Sequence, residues 1–227
     1  MKFWDSRPPK EPRRYFPIQI ECQNVALLQK IRIGVENSTI YVLPEPKTLR
    51  EARANLYAFS CEGRLVQPFR HIPGAIKCTS APLRECFGWM KVSGRELYEL
   101  PKELRAPRDR IDGLEREFQP DQEYYALVYH FIPDSKLPHD LNIVQRQLDL
   151  FWSAGFCLPS LRPENWKDSL LLDMADLICP WHAGWSPKLY RRMNAKDWFG
   201  PACRKGHSSG WAEVDAPETQ GSSGSDT

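Results

Sequence analysis

The sequence predicts an α+β domain, and three observations carry that prediction. Hydrophobic residues make up 41% and charged residues 26% of the chain, which is ordinary globular usage. Short runs rich in β-branched and aromatic residues alternate with two long segments of helical periodicity. The strongest strand candidate, EYYALVYHFI at Glu123–Ile132, stands directly before the second of those segments. At 227 residues the chain suits one domain with tails. A chain of that length buries roughly two thirds of its unfolded surface and needs no disulfide or metal to fold.

Met1 to Phe16 is proline-rich and basic, with Arg7, Lys10, Arg13 and Arg14, and reads as a loose flexible arm. Three β-rich runs follow, Ile18–Cys22, Ile31–Val35 and Thr39–Leu43, with Glu36-Asn37-Ser38 as a hairpin turn between the last two. Pro44 and Pro46 close the third run. Thr48 and Glu51 have capping-box spacing and open a helix expected to run to about Val66, with Ala52, Leu56, Phe59 and Gly63 on one stripe. Pro73-Gly74 breaks the chain before Ala75–Cys78, and Cys86–Val92 is a further strand. Residues 95–122 are dense in charge and proline and read as a surface insertion.

After the Glu123–Ile132 strand, Pro138 fits the first turn of the second helix. Leu141, Val144, Leu148 and Phe151 form its buried face, and Gly155 stops it. The apolar run Leu170-Leu171-Leu172 then ends at Asp173. Residues 205–227 turn to Gly, Ser, Asp and Thr, bury too little apolar surface to offset ordering entropy, and are expected to be disordered.

Function classes narrow on charge, hydropathy and cysteine. Thirty-one basic against 29 acidic residues leave a formal charge of +2, too weak a field to recruit nucleic acid or anionic lipid without a local cluster. Direct nucleic-acid binding is therefore not expected. No run of about 18 apolar residues occurs, and the N-terminus lacks the apolar core of a secretory signal. Seven cysteines without paired spacing read as free thiols in a reducing compartment, cytoplasm or nucleus.

The order of small sheet, helix, strands, helix, Asn-bearing loop and apolar strand ending in Asp resembles a protein kinase over roughly Ile18 to Tyr190. The stretch AGFCLPSLRPENWKDSLLLDMAD carries most of the likeness. LPSLRPEN lies where the catalytic His-Arg-Asp and its downstream Asn would be, and LLLDMAD where the strand and Asp-Phe-Gly would be. ALVYHFIPD looks like the strand entering the hinge, and FSCEGRL like part of the helix that offers a glutamate to the nucleotide lysine. The resemblance implies a kinase-like domain at 17–200, with a small antiparallel N-lobe at about 17–133 and a truncated helical C-lobe at about 134–200. Glu62, Asn165 and Asp173 then become vestigial nucleotide and Mg²⁺ candidates.

Departures from the kinase pattern decide what the likeness implies. The base position is Ser160, and a hydroxyl is no general base at neutral pH. Losing such a base removes about 10²–10⁴ in rate, or roughly 3–5 kcal/mol of barrier lowering. No G-x-G-x-x-G occurs in the first fifty residues, the strand TIYVLP has Leu43 at the lysine's place, and Lys47 lies beyond the prolines. Asn165 and Asp173 are only eight residues apart, so the usual intervening hairpin is shortened. A pseudokinase, with no catalytic residue of its own, follows. NWKDSLLLDMADLICPWHAGWSPKLY is similar to short fungal kinase-like proteins often grouped with Fta-type subunits of a kinetochore complex. That likeness implies a fungal, nuclear scaffold role with protein partners and no cofactor. A reduced ATP/Mg²⁺-dependent phosphotransferase, with Asp168 or Asp176 as an unorthodox base, is the alternative.

A second constellation is Cys179-x₂-His182 with Cys203-x₃-His207, which could close a tetrahedral zinc site in a small zinc-stabilised binding protein. Eight tryptophans are many for this length; Trp181, Trp185 and Trp198 crowd one region, either as core or as a partner-binding patch.

Overall fold

A computed structural model describes residues 2–5, 17–105, 109–111, 114–133, 137–159 and 162–199. Mixed helices and small antiparallel sheets make it an α+β architecture. In chain order the elements are β1 (Lys2–Asp5), α1 (Pro17–Asn37), β2 (Tyr41–Val42), α2 (Leu49–Ala58), α3 (Cys61–Val66), β3 (Ile76–Lys77), β4 (Cys86–Ser93) and α4 (Gly94–Glu99). Then come β5 (Asp109–Ile111), β6 (Leu114–Arg116), β7 (Glu123–Tyr129), α5 (Leu141–Ser153), β8 (Trp166–Lys167), β9 (Leu170–Leu171) and α6 (Ala195–Phe199).

The largest sheet has strand order β1-β7-β4, with both pairings antiparallel. The expected strand at Glu123–Ile132 is its centre, and Cys86–Val92 forms one edge. Lys2–Asp5, expected to lie in a loose arm, instead pairs with β7 from Leu127 back to Tyr124. The remainder of that arm lies outside the described residues, as do 205–227.

The two runs expected as strands at Ile18–Cys22 and Ile31–Val35 are one continuous helix, α1, and the hairpin turn expected at residues 36–38 is that helix's end. The error has a physical source. Ile18, Ile20, Ile31, Ile33 and Val35 are β-branched and alternate locally, which mimics a period of two. The face that is actually buried reads Ile18, Glu21, Asn24, Val25, Leu28 and Ile31, spaced by three and four. Two polar residues inside that stripe hide its helical period.

The next helix is capped as expected. Thr48 Oγ1 accepts from Glu51 N, and the Glu51 carboxylate accepts from Thr48 N, a reciprocal box. It does not run to Val66 without a break. Phe59 ends α2, and Ser60 caps a second short helix by accepting from Gly63 N. All four stripe residues, Ala52, Leu56, Phe59 and Gly63, are nevertheless buried. Gly63 sits where a Cβ would come within 2.0 Å of the Tyr57 carbonyl, so the break between the helices brings two backbones together.

The second long helix starts later than Pro138 suggested. Asp140 is its cap, accepting from Asn142 N and Ile143 N, and Pro138 precedes that cap. Gly155 follows the last turn at φ +90°, a left-handed conformation in which a Cβ would also meet the Ala52 carbonyl at 2.6 Å. The 95–122 stretch holds α4, a 3₁₀ turn and the β5–β6 hairpin.

One core joins these parts. Leu28, Ile31, Phe59, Leu127, Val144, Phe151, Phe156, Leu171 and Leu177 lie in a single buried cluster. Asn55 is fully buried and stitches three elements together. It accepts from Leu43 N and donates to the carbonyls of Leu43 and Ser153. No described helix is long and apolar enough to cross a membrane.

Candidate functional site

The residues most loaded with chemistry converge where α1 meets the chain after β9. The β8–β9 hairpin is two residues per strand, turned by Asp168 (φ 48°) and Ser169 (φ 67°). Left-handed conformations at both central residues twist the strands as a tight hairpin requires. Leu172 N donates to the Asn165 carbonyl at 2.7 Å, continuing the pairing one step beyond the strands. A hairpin therefore lies between Asn165 and Asp173 and places them at the same end.

There the side chains bind protein groups. Asn165 Nδ2 donates to Asp176 Oδ2 at 2.5 Å. Asp173 Oδ1 accepts from Ala175 N at 3.1 Å and caps the 3₁₀ turn Met174–Asp176. The same N–H donates to Glu21 Oε2 at 2.7 Å, reaching across from α1. The other Glu21 oxygen accepts from Tyr129 Oη at 2.5 Å. One helical turn on, Asn24 Nδ2 donates to the carbonyls of Met174 (2.7 Å) and Leu177 (2.6 Å). Helix α1 thus grips the acidic turn with two fully buried polar side chains.

Electrostatics follow from this burial. The Tyr129 phenol is pushed well above its ordinary value, first by burial and then by the Glu21 carboxylate, so it remains a donor. Arg84 stacks on the Tyr129 ring at 4.4 Å and donates to the His130 carbonyl, and burial lowers its guanidinium despite Tyr129 and Glu21 nearby. Burial raises the neighbouring thiols of Cys22 and Cys86, which Glu21 raises further. Burial therefore favours the protonated, less nucleophilic thiol at both positions.

Glu62, the expected helix glutamate, is exposed in the first turn of α3. Its carboxyl is held low first by its own backbone N–H and then by Ser60. Glu21 is the glutamate that reaches the acidic turn. A charged residue inside an apolar stripe of three-and-four spacing was the available signal. Ser160 lies outside the described residues.

Among the described residues, no group of three His, Cys, Asp or Glu side chains could hold a metal ion. Cys179 is buried. His182 N donates to the Cys179 carbonyl and His182 Nδ1 accepts from Gly184 N, so the pair closes a local turn. Cys203 and His207 lie outside the described residues.

The tryptophans divide. Trp185 is buried and donates to the Gly155 carbonyl at 2.9 Å, and Trp198 packs on the core. Trp181 is 63% exposed under the Arg53 guanidinium at 4.5 Å.

His139 gives a pH prediction. Its Nδ1 accepts from Ser169 N at 3.2 Å, which requires the neutral ring, and burial lowers its pKa although Asp168 opposes the shift. In the unfolded chain the histidine protonates near its ordinary value of about 6.5. The unfolded state therefore binds more protons below that point, and stability is lost as pH falls from about 6.5 toward the lower folded value. His139→Asn is expected to flatten this part of the pH–stability curve in urea titrations between about pH 7.5 and 5. An unchanged slope would show that His139 does not titrate differently in the two states.

No family model, no curated protein and no solved structure matches the chain.

Proposed function

We propose that this chain is a non-catalytic, protein kinase-like interaction module, with the scaffold role that the likeness to fungal kinetochore subunits implies. In a protein kinase, the strand bearing the nucleotide lysine leads into a helix bearing its glutamate, and that helix stands beside the metal-binding Asp. The order β1, α1 with Glu21, β4, β7, α5, hairpin and acidic turn supports this reading, and α1 lies on the turn. On this reading Glu21 takes the helix-glutamate place instead of Glu62, and the lysine strand is β1, which carries Lys2.

The observation that carries the non-catalytic half is the mutual pairing at the acidic turn. Asn165 holds Asp176, Asp173 caps Ala175, and both Glu21 oxygens accept from protein donors. Among the described residues no three His, Cys, Asp or Glu side chains group as metal ligands, and the oxygens at the turn already accept from protein donors. At the base position stands Ser160, whose hydroxyl is no general base at neutral pH.

Thermal denaturation with ATP, with and without Mg²⁺, tests this. A ligand at about 100 times its Kd adds about 2.7 kcal/mol, several degrees in Tm. The expected result is no shift at millimolar nucleotide. A Mg²⁺-dependent shift that Asp173→Ala abolishes would instead establish the phosphotransferase reading.

A further inference from the structure

A concave groove of about 800 Å³ is lined by none of the candidate site residues. It lies between the β2–β3 region, α5 and the chain from Pro187 to Arg192. Its walls carry five cations and two carboxylates, more positive charge than the +2 of the whole chain. One carboxylate is already neutralised, since Asp149 accepts from Arg192 Nε at 2.8 Å. Arg146 is anchored by donating to the Ser80 carbonyl at 2.7 Å. Lys47, Lys77 and Arg191 are exposed and make no ion pair among the described residues. Glu45 is the remaining carboxylate.

A concentration of unpaired cations in a concave wall is a recognition feature for a polyanion. The aromatic lining decides which kind. A single-stranded nucleic acid needs free ring faces on which bases stack. Trp152 has no such free platform: Tyr190 stacks against it at 6.3 Å and Arg192 lies over it at 5.6 Å. Tyr190 is buried, tilted against Trp185, and its hydroxyl donates to the Trp152 carbonyl. The rings pack against one another, and the remaining exposed charges of the groove are Lys47, Lys77 and Arg191 against Glu45.

We propose that this groove binds an extended segment of a partner protein rich in Asp and Glu. The proposal deepens the interaction-module reading by naming its partner surface. It does not depend on the kinase likeness, so a nucleotide-induced Tm shift would leave it standing. The test is fluorescence anisotropy of the full chain with a labelled ten-residue oligo-glutamate, and in parallel with a single-stranded oligodeoxynucleotide. Saturable binding of the peptide is expected, weakening steeply as salt rises. Lys77→Glu and Arg191→Glu should each weaken it at least tenfold. Lys30→Glu, at an exposed position of α1, makes the same charge change outside the groove and should not. All three positions are exposed, so unchanged melting curves confirm intact folding. No saturation below about 1 mM, equal loss in Lys30→Glu, or tighter binding of the oligonucleotide with the same variant dependence would each overturn the proposal.

Discussion

Glu21→Ala is expected to destabilise the protein by about 3–5 kcal/mol, because it removes the common acceptor of a buried network. Tyr129 Oη has Glu21 as its partner, and burial alone already opposes any charged form of that phenol. Leaving a buried hydroxyl unsatisfied costs about 1–3 kcal/mol. Ala175 N keeps Asp173 Oδ1 but loses its shorter bond to Glu21. The void left by the carboxylate side chain adds to both. Urea denaturation measures the total. A double-mutant cycle with Tyr129→Phe should return a coupling of about 1–3 kcal/mol, since the two residues are in direct contact. A loss below about 1 kcal/mol in Glu21→Ala, or additivity in the cycle, would mean that Asn24 and the apolar face hold α1 without Glu21.

That network also marks the boundary of what the sequence discloses. Contiguous features were legible: the Thr48–Glu51 box, the strand at Glu123, the buried face of α5 and the stop at Gly155 each depend on residues within a few positions of one another. The short hairpin between Asn165 and Asp173 was expected only through the kinase likeness, whose usual hairpin the eight-residue spacing shortens. What failed required knowledge of distant partners. Glu21 and Asn24 are buried because Tyr129 and the 174–177 backbone supply partners more than a hundred residues away. Without those partners a carboxylate in the stripe argues against a buried helix face, which is how α1 came to read as two strands. Glu62 was the converse case: it lies in a clear helical pattern, yet the pattern does not tell that α3 leaves it in solvent.

Gln147→Ala is expected to destabilise by about 2–4 kcal/mol, and its effect should centre on the hairpin that presents Asn165 and Asp173. Gln147 is fully buried on α5. Its Nε2 donates to the Ser169 carbonyl at 2.6 Å and its Oε1 accepts from Leu171 N at 3.2 Å. The side-chain amide thereby stands in for a neighbouring strand, pairing with backbone that a two-residue β9 cannot satisfy by itself. Alanine orphans both groups and leaves a void. Gln147→Leu fills the void but still orphans them, so a loss close to that of alanine would assign the energy to hydrogen bonding, whereas near wild-type stability would assign it to packing. Gln147→Glu should be worst, because a carboxylate oxygen would face the Ser169 carbonyl where a donor is needed. Amide exchange distinguishes local from global loss: the Leu171 and Leu172 amides should exchange faster in Gln147→Leu, while Leu127 in the central strand changes only with global stability. Uniform acceleration across both regions would show that α5 and the hairpin unfold as one unit with the sheet.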